Sequence, residues 1–355
     1  MKISEVIKSL SASNAAIKNT ASSEPKEGWY PAYSASGQDV WLPDCRFTQK
    51  GIVVSAVGAR CGKAFKADGK WNICANTHPL SVDETKALRD YCWYMINNED
   101  WWIKGGTAQP FVKVKDSFNR DFIFPPISEQ KMIVSRLDTI QALINQKQLQ
   151  IKRLDELVKA RFVEMFKGKY DSFKVDEKLK TTSGGTPKSS VSEYYDGGDI
   201  PWLTSGEVNY GGITKPSNYI TEKGLNNSSA KWVPENSIVI AMYGATAGKV
   251  GIVRYKTTTN QAVCSVLPND NFNQEFLRYA FQDISEELTS KAIGGGQPNI
   301  SQTIIKNSYI VDAPIEEQER FASFVKQVDK SKFAVQKSLE KTQLLFDSLM
   351  QEYFD

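Results

Sequence analysis

The sequence contains a single histidine, His78, and only five cysteines in 355 residues. With one imidazole in the chain, a histidine-rich metal site is excluded. Any Ser-His or Cys-His relay would have to run through that one residue, and a lone histidine reads as a structural side chain. The cysteines, Cys45, Cys61, Cys74, Cys92 and Cys264, are odd in number and nowhere spaced C-x-x-C. Neither a disulfide framework nor a zinc knuckle is visible, which fits a reducing cytosol. The first residues lack a basic start followed by a long apolar stretch, so they do not read as a signal peptide. The longest apolar runs, such as 238–243, fall far short of the ~20 residues a membrane span needs. A soluble cytoplasmic protein with no membrane partner is expected. Charge of either sign is not in excess: 44 basic residues face 41 acidic ones, a net of +3. Composition therefore announces no nucleic-acid partner, but a local basic groove is compatible with it.

Apolar and aromatic bulk is plentiful, with 41% hydrophobic residues, 17 Phe, 14 Tyr and 8 Trp. That excludes wholesale disorder. At roughly 100–200 residues per domain the length suggests two to three domains.

The chain repeats itself over about half its length. Ile52-Val-Val-Ser-Ala-Val-Gly58-Ala-Arg60-Cys-Gly62-Lys63 aligns with Ile238-Val-Ile-Ala-Met-Tyr243-Gly244-Ala-Thr246-Ala-Gly248-Lys249 at an offset of 186. Gln109-Pro110 matches Gln297-Pro298, and Pro126-Ile127-Ser-Glu129-Gln130 matches Pro314-Ile315-Glu-Glu317-Gln318, both at 188. A period this long means two tandem domains rather than a solenoid. Each half begins with short apolar runs bounded by turn signals such as Asp68-Gly69-Lys70 and Asp196-Gly197-Gly198, which read as strands and turns. Short helices are expected near 84–98 and 273–291. Each half ends in about forty residues without Gly or Pro.

In these terminal segments the apolar residues alternate four and three apart, a heptad seam. The first seam is Ile133, Leu137, Ile140, Ile144, Ile151, Leu154, Val158 and Met165, interrupted by Lys147 and Arg161. The second is Phe321, Val325, Val328, Val335, Leu339, Phe346, Leu349 and Tyr353, interrupted by Lys332 and Thr342. Each helix would be about 58 Å long. Because each follows an equivalent domain, the two are expected to pair antiparallel.

Chemistry for turnover is missing. The loops Gly58–Lys63 and Gly244–Lys249 have three residues between their glycines, not four, and Ala or Val follows the lysine where a P-loop needs Ser or Thr. No G-x-G-x-x-G follows a strand. Pro125-Pro126 lacks the preceding Asn or Asp of adenine methyltransferases. What remains suits binding. A Gly-x-x-x-Gly-Lys turn offers backbone N–H groups and a cation to a sugar-phosphate backbone. Arg60 and Thr246 differ between the two copies, as base-reading positions on a common frame must. Asn76, Gln109, Gln261 and Gln297 carry amides that can bond adenine bidentately.

Two variable domains, each followed by a long helix opening with Pro-Ile-x-Glu-Gln, resemble the specificity (S, HsdS) subunit of Type I restriction-modification systems. The second half adds Ser183-Gly-Gly-Thr186-Pro187-Lys188, Ile200-Pro-Trp202-Leu-Thr204-Ser205-Gly206-Glu207, Gly244–Lys249 and Asn260-Gln261-Ala262, which are similar to this family. The first half departs from the commoner pattern. Tyr30-Pro31-Ala-Tyr33-Ser34-Ala-Ser36-Gly37 looks like an alternative opening, and Ala75-Asn76-Thr77 matches Asn260-Gln261-Ala262 only loosely.

The resemblance implies an α+β chain of two tandem mixed α/β target recognition domains, each followed by a long helix. The two helices would form an antiparallel coiled coil with pseudo-two-fold symmetry. The expected divisions are 1–127 (first recognition domain), 128–167 (first spacer helix), 168–315 (second recognition domain) and 316–355 (second spacer helix). Each domain would read one half of an asymmetric bipartite site in double-stranded DNA. The coiled coil would set the spacing and dock two methyltransferase (M) subunits, with restriction (R) subunits joining them. No cofactor is expected on this chain: S-adenosylmethionine and ATP with Mg²⁺ belong to the partners, and the chain itself is not an enzyme. The candidate DNA contacts are Arg60, Lys63, Asn76, Gln109, Lys188, Thr204, Ser205, Tyr243, Thr246, Lys249, Gln261 and Gln297. The competing reading is a coiled-coil scaffold whose two β-rich domains bind protein or carbohydrate.

Overall fold

The computed structural model describes residues 1–13, 15–292 and 299–354. The chain divides into two compact units, Met1–Gln148 with Lys337–Asp355, and Leu149–Gln336. In chain order the first half comprises β1 (Ile7–Ser9), β2 (Tyr30–Ser34), β3 (Gly37–Leu42), β4 (Gly51–Ser55), β5 (Ala64–Ala67), β6 (Asn72–Ile73), β7 (Thr77–Val82), α1 (Arg89–Ile96), β8 (Lys104–Gly105), β9 (Phe111–Val112), α2 (Val114–Phe118) and the long helix α3 (Ile127–Phe166). The second half comprises β10 (Ser172–Lys174), α4 (Val175–Lys178), β11 (Thr181–Ser183), β12 (Ile200–Leu203), β13 (Gly212–Ile213), β14 (Tyr219–Ile220), α5 (Glu222–Asn226), β15 (Trp232–Val233), β16 (Ile238–Ala241), β17 (Val250–Val253), β18 (Thr257–Thr259), β19 (Val263–Val266), α6 (Gln274–Asp283), α7 (Ser285–Ser290), α8 (Gln302–Lys306), β20 (Tyr309–Val311) and the long helix α9 (Ile315–Phe354). The mixed helix and sheet content expected from the sequence is present, and the short helices fall at α1, α6 and α7.

The two largest sheets of each unit share the same kernel. The larger sheet of the first unit runs β1-β7-β4-β5, and that of the second β11-β19-β16-β17-β13. The central strands β4 and β16 read Ile-Val-Val and Ile-Val-Ile without polar alternation because both faces are covered: every residue of each is buried. The smaller sheet contains a parallel pair in both units, β2 with β6 and β12 with β18.

This register places the alternative opening of the first half. Tyr30-Pro31-Ala32-Tyr33 stands where Ile200-Pro201-Trp202-Leu203 stands in the second unit, since Ala32 pairs with Asn72 and Trp202 with Thr258. The place of Ser183-Gly184-Gly185 is taken instead by the residues after β1, Ser11-Ala12-Ser13, because Ser9 opposes Leu80 as Thr181 opposes Val266. The second unit needs glycines there. A Cβ at Gly184 would sit 1.8 Å from the Thr259 carbonyl oxygen, and one at Gly185 2.2 Å from Ser229 Oγ.

Within each unit, segments of the two long helices run antiparallel. In the first, Lys147 Nζ donates to Ser338 Oγ at 2.7 Å and Arg136 to the Tyr353 hydroxyl at 3.1 Å. In the second, Asp155 bonds Lys332 at 2.6 Å and Phe162 meets Phe321 at 5.4 Å. The heptad seam is the buried line, with Ile133, Leu137, Ile144, Val158, Phe321, Val325 and Val328 all inside. Lys147, a break in the apolar pattern, is accommodated by its bond to Ser338. Each unit lays one further helix on this seam through aromatic rings. Tyr91 of α1 stacks near Phe354 (5.1 Å) and Tyr94 near Phe346 (6.3 Å). At the equivalent positions of α6, Phe276 meets Phe166 at 4.9 Å and Tyr279 meets Phe321 at 5.2 Å.

Candidate nucleic-acid interface

The glycine loops are hairpin turns at the ends of the two buried central strands. Gly58 and Gly62 in the β4–β5 loop have φ of 98° and 99°, and Gly244 and Gly248 in the β16–β17 loop 79° and 83°. Side chains disfavour this left-handed region, so both glycines of the motif are conformational requirements. The second is also sterically locked. A Cβ would lie 2.7 Å from Trp102 Cδ1 at Gly62 and 2.4 Å from Thr289 Oγ1 at Gly248.

Both loops have the same backbone hydrogen bonds, residue for residue. Gly62 N donates to Ser55 O at 2.9 Å, as Gly248 N does to Ala241 O at 2.9 Å; Lys63 N donates to Arg60 O at 3.2 Å, as Lys249 N does to Thr246 O at 2.9 Å. The strand ends are tied to further loops in the same way. Ala56 N donates to Asn76 O (2.8 Å) and Ala56 O accepts from Val112 N (3.0 Å); Met242 N donates to Ala262 O (2.8 Å) and Met242 O accepts from Ile300 N (2.9 Å). Asn76 is thus the counterpart of Ala262, and Gln261 corresponds to Ala75. The loose sequence match was out by one residue. Asn76 itself adopts φ 67°, a left-handed turn position that asparagine tolerates.

These ties gather the candidate residues. In the first unit Gly58 N donates to Pro110 O at 2.8 Å, which brings the Gln109 turn against the Arg60–Lys63 loop, with the Asn76 turn beside it. Arg60, Asn76 and Gln109 are exposed and Lys63 is half-buried. In the second unit Tyr243 and Gln261 are exposed and Lys249 is half-buried. Neither Lys63 nor Lys249 makes an ion pair among the described residues, so both ammonium groups remain available to an anion. Thr186 donates its hydroxyl proton to Gln261 Oε1, leaving the two amide N–H donors without a protein acceptor among the described residues. Lys188 is exposed on a turn held by Tyr195, whose hydroxyl donates to Pro187 O at 2.5 Å. Gln297 lies outside the described residues.

Three candidates serve the loop scaffold as well. Thr246 Oγ1 donates to Ser205 O at 2.7 Å, joining the glycine loop to the turn after β12. Thr204 donates through its N–H (2.8 Å) and its hydroxyl (3.0 Å) to Glu207 Oε2. Ser217 N (3.2 Å) and Asn218 Nδ2 (2.9 Å) also converge on Glu207. Burial alone would push the Glu207 carboxyl up, but these four donors outweigh it and hold the group below its usual range. Glu207 is therefore an organising anion beside the loop. Its signature, Thr-x-x-Glu, is that of a capping box and was legible in the sequence.

The remaining reactive groups are structural. His78 sits on β7 opposite Val54, and burial lowers its pKa. Cys61, Cys74, Cys92 and Cys264 are buried free thiols, and burial pushes Cys264 up to about 12. Among the described residues no His, Cys, Asp and Glu cluster could hold a metal ion, and no helix is long and apolar enough to cross a membrane.

Comparison with known proteins gives one family. The Type I restriction modification DNA specificity domain matches residues 1–153 and 167–344. The Escherichia coli EcoR124I/EcoR124II specificity subunit is 22% identical over 70% of this chain and 65% of its own length. The Methanocaldococcus jannaschii MjaIX specificity subunit is 30% identical over 45% of this chain and 38% of its own length. The MjaVIII specificity subunit of the same organism is 26% identical over 86% of this chain and 80% of its own length. The chain thus spans about two-thirds or less of the first two of these relatives. Among solved structures, the Type I restriction-modification S subunit from M. genitalium has a TM-score of 0.58 at 14% identity, covering 100% of this chain and 95% of that one. A chain from a study of Type I restriction-modification complex assembly and conformational transition reaches 0.61 at 16% identity, covering 100% and 96%. At such identities these likenesses speak for the fold.

Proposed function

The chain belongs to the Type I restriction modification DNA specificity family, with two tandem recognition domains, and from that premise we propose that it is the non-catalytic subunit that reads DNA for a methyltransferase and endonuclease complex. The observation that carries the reading is the twinned Gly-x-x-x-Gly-Lys loop. One hydrogen-bonded frame presents a lysine at the same place in both units, while the side chains between the glycines differ. A common cation suits phosphate, which positions without reading. Variable neighbours suit base edges, which specify.

In this reading Lys63 and Lys249 hold phosphates. Arg60, Asn76 and Gln109 face one half-site, and Tyr243, Thr246, Gln261, Lys188, Thr204 and Ser205 the other; Gln297 would join them. Because the two sets are unlike, the bipartite target is asymmetric. The paired helices set the gap between half-sites. Their outward apolar residues, among them Leu143 and Leu344 in the first unit and Leu157 and Phe333 in the second, suit docking of two M subunits, with R subunits joining in turn. S-adenosylmethionine and ATP with Mg²⁺ would be held by those partners. The setting is cytoplasmic.

The test is an electrophoretic shift with random-sequence duplex DNA, the methyltransferase subunits supplied. Enrichment of one two-part sequence supports the reading. Persistent failure to enrich any, with retention of a protein or glycan ligand instead, would favour the scaffold alternative.

A further inference from the structure

The repeated Pro-Ile-x-Glu-Gln motif ends on a glutamine, Gln130 in the first half and Gln318 in the second. Both copies are buried: Gln130 is 0% exposed and Gln318 1%. Gln130 Oε1 accepts the backbone N–H of Leu88 at 2.8 Å, and its amide nitrogen donates to Pro125 O at 2.8 Å and Lys86 O at 3.3 Å. Gln318 Oε1 accepts the backbone N–H of Asn273 at 2.8 Å, and its nitrogen donates to Ala313 O at 2.8 Å.

The two receivers are equivalent. Leu88 is the N-cap residue of α1 and Asn273 the N-cap residue of α6. In a capping box the N-cap N–H is satisfied by Glu or Gln at the third helical position. Here that position is Tyr91 in α1 and Phe276 in α6, both turned instead into the aromatic packing on the long helices. The missing acceptor is supplied from the long helix itself. Each glutamine therefore ties the first turn of a long helix to the start of the recognition-domain helix that lies on it, using a planar amide whose acceptor and donor are both engaged. A buried two-sided amide fixes orientation, not merely proximity.

We infer that Gln130 and Gln318 are positioning residues that fix the tilt of each recognition domain on its own helix segment, and thereby the single half-site spacing the protein accepts. This rests on the DNA-reading assignment above. The experiment selects DNA sites with the chain assembled with its methyltransferase subunits. Gln130→Met keeps side-chain length but removes both hydrogen-bonding roles; Leu88→Pro removes the N–H together with the leucine side chain, at a residue whose φ of −72° already suits proline, and Leu88→Ala controls for the lost side chain. Gln318→Met tests the second unit. Each variant is expected to keep the half-site bases while accepting spacings one base pair longer or shorter at least tenfold more readily than wild type. A variant that folds, melts lower and still selects only the original spacing would reduce the glutamine to a stabilising residue and overturn the inference. Wild type that selects no bipartite sequence would instead sink the function assignment beneath it.

Discussion

At the scale of single residues, lysine and histidine make opposite demands. Lys249 stands at the end of a glycine loop with no carboxylate partner among the described residues. As a phosphate contact, its replacement by alanine is expected to weaken binding to all sequences alike and to reduce the slope of log affinity against log salt by about one. A changed base preference would reassign it to base reading. His78 predicts a pH effect. Burial lowers its folded-state pKa, so as pH falls from 7 the unfolded chain takes up the proton first. Stability then declines as pH drops through about 6.5, the ordinary histidine value, and the decline ends once the folded state protonates too. Melting temperatures between pH 7.5 and 5.5 should fall more steeply for wild type than for His78→Asn; equal slopes would show that His78 is not the titrating group. Which residues bear charge was readable from the sequence. Thr204 and Thr246 read as donors to DNA; the Thr-x-x-Glu spacing points to Glu207 as the partner of Thr204, but only the fold reveals the Ser205 carbonyl as the partner of Thr246.

At the scale of elements, the heptad seam was the most legible feature, because a period of three and four survives any detail of tertiary context. Ile133, Leu137, Ile144, Val158, Met165, Phe321, Val325 and Val328 of the seam are buried, while Phe162 and Phe166, also buried, lie outside it. Leu137, wholly buried between helices and Tyr94, is expected to cost about 2–5 kcal/mol on truncation to alanine, measured by denaturant unfolding. The exposed Leu344 should cost little. The strands were legible as strands but not in their pairing: the parallel partnership of β2 with β6 joins segments some forty residues apart, and no local pattern encodes it. Hence the equivalence of Tyr30–Tyr33 with Ile200–Leu203 emerges only from the register. The glycine loop depends on its conformation rather than on any ligand. Gly62→Ala, forced against Trp102 at a positive φ, should lose about 1–3 kcal/mol and disorder the Arg60 loop, visible as faster amide exchange at 58–63. Unchanged exchange would contradict the steric account.

At the scale of the whole molecule, the duplication organises everything else. Two units share one hydrogen-bonded frame around their loops, one way of seating a recognition helix on a long helix, and one capping glutamine each. They differ in the side chains a ligand would meet. The near-balanced charge of the whole sequence is compatible with DNA, since the long helices carry acids and bases in similar number and Lys63 and Lys249 of the loops make no ion pair among the described residues. Adding one heptad to each long helix lengthens each by about 10 Å, so the preferred gap is expected to grow by about three base pairs at 3.4 Å per step with the half-site bases kept; altered half-sites would contradict the spacer role of the helices. The central claim is that two unlike readers act on one DNA. Mapping adenine methylation at base resolution on random-sequence DNA, with this chain assembled with its methyltransferase partners, tests it most directly. A single motif of two different half-sites separated by a fixed unread gap is expected. A motif confined to one half-site, or methylation without any sequence preference, would contradict it.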